Sequence, residues 1–215
     1  MHISLGSNCH PAYWLKILGL SSSYMPFDWT LSSPSNLLAC VNDLIENNFE
    51  SWLSELSTND RGNVIDSRFP SVELFHHKAL ISDDPSESSI EKQKLLRRSR
   101  RFLKAIKNKY NSYYIYYPLT DFKTHEPFCD ELIRFAEVTQ GSLLIYYVSD
   151  YLENGELAPQ NDIELYYNCA YQITPTRFNT RIVHHRRDRR VDNIWGQEPD
   201  FLRKNSIREI KPILS

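Results

Sequence analysis

Residues 1–20 read MHISLGSNCHPAYWLKILGL, and the fold turns on what happens around Gly6. HISLG is a short apolar run of the kind that forms a buried strand. Gly6 ends it. Pro11 suits the first turn of a helix, where its missing N–H has no partner to lose. Trp14, Leu15 and Leu18 then recur at helical spacing, and Gly19 supplies a stop. The opening is therefore strand, tight loop, helix, with Ser7, Asn8 and Cys9 in the loop.

The same alternation continues along the chain. SPSNLLACVNDLIENN predicts a helix capped by Ser33 or Ser35, with Leu37, Leu38, Val41, Leu44 and Ile45 on one face. FESWLSEL predicts a further short helix, residues 57–70 a loop, and SVELFHHKALI a strand; SDDPSESS is polar and loop-like. IEKQKLLRRSRRFLKAIKNKY gives the longest helical signal, with Leu95, Phe102, Leu103, Ile106 and Tyr110 on one stripe. YYIYYPL and SLLIYYVS predict strands, residues 126–139 a helix ended by Gly141, and DIELYYNCAYQI a further strand. Strands separated by helices imply a mostly parallel sheet with helices on its faces.

Composition bounds the function. The 215 residues suit one domain with a real core. Hydrophobic residues make up 41% and charged residues 24%, which excludes a disordered chain. A net charge of −2 gives no general attraction to nucleic acid. Cys9, Cys40, Cys129 and Cys169 are too widely spaced for a zinc knuckle, a redox pair or a disulfide scaffold, so no metal is expected and reduced thiols in the cytoplasm are. No basic region followed by an apolar core marks a signal peptide, and no apolar run approaches the ~20 residues of a membrane span.

Cys9 carries the chemical interest. Ligands of open α/β sheets sit at the carboxyl ends of strands, and Cys9 falls at such an end and at a helix start. Free N–H groups there favour an anion, which would lower the thiol pKa and could stabilise an oxyanion. Gly6 permits close approach, and Ser7 and Asn8 add polar donors. His10 is adjacent, but neighbours on a helix diverge. The competing reading is a packed thiol, since cysteine is among the most buried residue types. G-S-N-C is neither the G-x-S-x-G elbow nor a G-x-G-x-x-G loop.

SLGSNCHPAYWLKILGL, MPFDW, the FHH segment and LLRRSRRF together resemble a bacterial family labelled papain-like cysteine peptidases. The resemblance covers about the first half of the chain. It implies a nucleophile at Cys9, a histidine partner at His76 or His77, and hydrolysis of an amide or ester. More loosely, the Gly-x-Cys turn after the first strand resembles capsule-biosynthesis proteins that bind coenzyme A, which are similar in layout to the Ser-Gly-Asn-His hydrolases. That likeness implies acetyl transfer to a saccharide. Papain-like folds pack a cysteine-bearing helix against an antiparallel barrel. The alternation of elements here predicts instead a single three-layer α/β domain over residues 1–215, Rossmann-like or like the Ser-Gly-Asn-His hydrolases.

Each partner has a bland reading beside the chemical one. His76 and His77 are adjacent and in a strand would face opposite sides, so at most one serves Cys9. His184 and His185 are the alternative base, or part of a solvated basic segment. Asp28 could orient a histidine or bind substrate, or satisfy turn amides while Phe27 and Trp29 pack. Arg97, Arg98, Arg100 and Arg101 could hold a phosphate, or form a solvated helix face. No nucleic-acid module is present. The leading expectation is a cysteine-nucleophile acyl-transfer enzyme hydrolysing amides or esters of a small-molecule or saccharide substrate, with no required cofactor. Substrate contacts are expected from Gly6, Ser7, Asn8, His10, Trp29, Arg97, Arg98 and Arg101. The alternatives are an O-acetyltransferase with coenzyme A as acyl donor, and a non-catalytic binder of a phosphorylated sugar or polymer.

Overall fold

The computed structural model describes residues 1–17, 19–21, 23–108, 110–118, 125–139, 143–149 and 180–185. In chain order the elements are β1 (His2–Gly6), α1 (His10–Ile17), α2 (Pro34–Glu46), β2 (Leu56–Thr58), β3 (Val64–Asp66), a 3-10 turn (Lys78–Ile81), α3 (Pro85–Ala105), β4 (Ser112–Pro118), α4 (His125–Val138), β5 (Leu143–Ser149) and β6 (Thr180–His185). The main sheet has the order β1-β4-β5-β6 and is parallel at every pairing. This is the parallel sheet that alternating strands and helices require, and not an antiparallel barrel. The reversal of strand order that defines a doubly wound sheet is not found among the described strands.

The core sits on one face of this sheet. Ile3 of β1 pairs in register with Tyr113 of β4. Both, with Leu5 and Ile115, are buried against Leu37, Leu38, Val41 and Leu44 of α2. Tyr113 meets Phe102 of α3 and Phe135 of α4 edge-on, with centroids 6.3 and 5.1 Å away. One strand side chain therefore fixes two helices through favourable T-shaped contacts. Arg134 of α4 reaches back to Asp43 and Glu46 of α2, and Asn42 donates to the Glu131 carboxylate at 2.6 Å. Ser4 and Tyr114 pair in register at positions that alternate with these.

Several helix ends follow their sequence signals. Ser33 caps α2 by accepting from Asn36 N–H, with Pro34 at the first helical position. Gly19 has φ +65° and donates its N–H to Lys16 O, closing α1. Three expectations are corrected. FESWLSEL is not a helix: it is a series of turns and bends with positive φ at Phe49 and Leu53, and its last residue, Leu56, begins β2. Residues 57–70 contain the β2–β3 hairpin rather than loop alone. SVELFHHKALI is not a strand but two isolated bridges at Glu73, to Leu31 and Ile65, followed by a turn and the 3-10 segment. In addition, α3 begins inside the polar stretch, at Pro85, because Asp84 caps it through Ser86 N–H. Gly141 and the segment DIELYYNCAYQI lie outside the described residues.

Candidate active site

The carboxyl end of β1 turns sharply. Gly6 and Ser7 have φ +87° and +75°. A Cβ on Gly6 would lie 2.3 Å from Phe27 O and 2.4 Å from Thr30 Oγ1, so only glycine lets the MPFDW turn pack there. Ser7 is held by the same loop: its Oγ donates to Ser32 O at 3.0 Å, and its carbonyl accepts from Ser32 N–H. Leu31 in turn exchanges backbone hydrogen bonds with Glu73. The stretches SLGSNC, MPFDW and FHH, far apart in sequence, are thus stacked side by side through the loop 27–32.

Cys9 occupies the N-cap position of α1, where its carbonyl accepts from Tyr13 N–H at 3.0 Å. It is half-buried. Burial pushes its thiol above the ordinary range, and the hydrogen bond from its own backbone only partly counters this. Burial thus outweighs the lowering expected at the helix start. Cys40 is a packed thiol in α2, its pKa pushed up first by burial.

His76 and His77 have opposite surroundings. The His76 ring is exposed, edge-on to Trp29 at 5.3 Å and to Phe75 at 4.9 Å. His77 is buried, and its Nδ1 lies 2.7 Å from Glu91 Oε1 on α3. Burial works against the Glu91 charge, but hydrogen bonds from Lys94 and His77 outweigh it and hold its pKa low. An ionised carboxylate only accepts, so the proton sits on His77 Nδ1 and Nε2 presents a lone pair. Nε2 is buried and makes no hydrogen bond among the described residues. Burial, reinforced by the Arg98 charge, lowers the His77 pKa although Glu91 raises it, so the ring is neutral at pH 7. No hydrogen bond joins Cys9 to either histidine among the described residues.

Asp28 is also buried. Its Oδ2 accepts from Met25 N–H at 2.7 Å, closing the turn in which Phe27 packs. Burial pushes its carboxyl up to about 7, against the pull of that amide and of Arg98 and Arg101. The carboxylate on His77 is thus Glu91, which sequence reading did not single out. It lies 14 residues on, in a helix whose surface charges give no local motif. Asp28 lines a cavity of about 220 Å³ with Ser4, Ala12, Leu15, Lys16, Ser21, Ser23 and Tyr24.

The remaining candidates divide by position. Arg98 and Arg101 gather at Tyr24: the Arg98 guanidinium lies 5.2 Å from the ring centroid, and Arg101 Nη1 donates to Tyr24 O at 2.7 Å. Arg97 and Arg100 are exposed. Asn8 is half-buried, and His10 is the first residue of α1. His184 and His185 end β6, in register with Val148 and Ser149. They share the carboxyl edge of the sheet with Cys9, but β4 and β5 intervene. Three strand spacings of about 4.8 Å put β6 roughly 14 Å from β1.

Among the described residues no helix is long and apolar enough to cross a membrane. No curated protein and no solved structure matches the chain. One family model does, over residues 1–187, a span that includes Cys9, His76, His77, Glu91 and both rivals at 184 and 185. The chain belongs to that family, described as "putative papain-like cysteine peptidase".

Proposed function

We propose that the protein is a cysteine hydrolase of amide or ester bonds in which Cys9 is the nucleophile, His77 the general base and Glu91 the group that orients it. The observation that carries this reading is the His77–Glu91 hydrogen bond of 2.7 Å, with Nε2 left as a lone-pair acceptor. A base held by a third group in one tautomer is the arrangement nucleophilic catalysis needs. Membership of the family supports the same chemistry. The alternatives, acetyl transfer from coenzyme A and simple binding, draw support from neither source. The reading takes the whole chain as one three-layer α/β catalytic domain.

The steps follow from these groups. Cys9 Sγ attacks the substrate carbonyl carbon as its proton passes to His77 Nε2. Because burial keeps the thiol protonated, deprotonation accompanies attack rather than preceding it. N–H groups of the first turn of α1 face the developing oxyanion. The C–N or C–O bond then breaks as His77 returns the proton to the leaving group. Water, deprotonated by the same nitrogen, cleaves the thioester and restores the thiol. Nε2 is buried and Cys9 makes no hydrogen bond to it among the described residues, so these steps require substrate binding to bring the thiol and the ring together. Sequential hydrolysis assays on coumarin amides and nitrophenyl esters test the reading. Cys9→Ala should abolish turnover, and His77→Gln should lower it by roughly 10²–10⁴-fold. Undiminished turnover in Cys9→Ala would remove the proposal.

A further inference from the structure

Four rings run in series across the surface beside this site. Phe75 contacts His76 at 4.9 Å, His76 contacts Trp29 at 5.3 Å, and Trp29 contacts Tyr24 at 6.4 Å. Phe75 and Tyr24, at the two ends, are 44% and 41% exposed. A contiguous aromatic strip left in water is costly unless it meets a partner. Three cations converge on the Tyr24 end. Lys16 Nζ lies 2.9 Å from its hydroxyl, Arg101 donates to its carbonyl, and Arg98 sits over the ring. None of the three is ion-paired among the described residues, and Arg98 Nη1 is buried without a hydrogen-bond partner there. The 220 Å³ cavity opens at the same end, lined by Tyr24 and Lys16. That is many times the roughly 10–15 Å³ one water needs.

We propose that this aromatic ledge and its cationic end bind a peptide substrate that carries an acidic group beside an aromatic or large aliphatic side chain. The proposal rests on the hydrolase reading for its choice of a peptide. The ledge takes the apolar side chain by ring contact, and the acidic group meets Lys16, Arg98 and Arg101. Asp28, buried in the wall of the same cavity, is a carboxyl that Arg98 and Arg101 already face. Three cations still exceed that one acid, and a neutral sugar chain would cover the rings without adding charge to meet them. The ledge leads from the exposed face of His76 to the cavity. Trp29, in the middle of the ledge, belongs to the loop whose Phe27 O and Thr30 Oγ1 pack on Gly6, three residues before Cys9.

Binding to the full chain carrying Cys9→Ala tests this without any turnover, so it can fail while the nucleophile stands, and the reverse. The probe is a dye-labelled octapeptide with two glutamates next to a phenylalanine, read by fluorescence anisotropy. Controls replace both glutamates by lysine, or the phenylalanine by alanine. The glutamate–phenylalanine peptide should bind at least tenfold more tightly than either control. Trp29→Ala and Arg101→Gln, each added to Cys9→Ala, should weaken it at least fivefold with an unchanged circular-dichroism spectrum. Lys16→Gln, on an exposed side chain, should weaken it as well if the other two disturb folding. Equal binding of the lysine peptide, indifference to all three substitutions, or a preference for oligogalacturonate over every peptide would overturn the proposal.

Discussion

At Gly6 the backbone runs at φ +87° while Phe27 O and Thr30 Oγ1 stand where a Cβ would go. Gly6→Ala must therefore both strain the backbone and push the MPFDW turn away. It should cost roughly 2 kcal/mol or more in unfolding free energy, read from a denaturant melt. Asp28, in that turn, gives a pH signature. Its folded carboxyl is raised from 3.8 to about 7, so the fold binds its proton more tightly than the unfolded chain does. Stability from this group is full below pH 3.8 and is lost as pH rises to about 7, by an amount on the order of 4 kcal/mol. Asp28→Asn should flatten that decline in a pH series of melts while keeping the acceptor for Met25 N–H. Cys9 should be alkylated by iodoacetamide with a midpoint above the ordinary thiol range. A midpoint below that range would show that the helix start outweighs burial. The position of Cys9 after the strand was legible from Gly6 and Pro11 alone. Its thiol pKa was not, because desolvation depends on what the folded chain packs around it.

Elements with strong periodicity were legible, and those set by tertiary contacts were not. The apolar stripes gave α2, α3 and α4, and β-propensity gave β4 and β5. The Ser33 cap was also visible, and Ser33→Ala should lower stability by about 1 kcal/mol with little change elsewhere. FHH failed as a strand because pairing stops at Glu73, which bridges both Leu31 and Ile65, before the chain turns, while Val72 and Leu74 still pack in the core. The two histidines still part company there, His77 inward to Glu91 and His76 outward to Trp29. A strand reading reached that separation by a different geometry. FESWLSEL failed because Phe49 and Leu53 adopt positive φ to reach the core, a choice that helical spacing does not reveal.

At the scale of the whole molecule, the parallel sheet followed from alternating elements, but the strand order did not. Nothing local says that β1 pairs with β4, which lies about a hundred residues on. That pairing lets Tyr113 pin α3 and α4 to the strand that neighbours β1, and Tyr113→Ala should cost roughly 3–5 kcal/mol in a denaturant melt. It also sets α3 where Glu91 meets His77 and Arg98 meets Tyr24, so the site is completed by a helix whose charges look solvated in sequence. The most direct measurement of the central claim is acetyl transfer from p-nitrophenyl acetate at pH 7, followed by peptide mapping. The account predicts an acetyl group on Cys9, formed at least a hundredfold more slowly in His77→Gln. Acetylation that bypasses Cys9, or proceeds equally fast without His77, would contradict it.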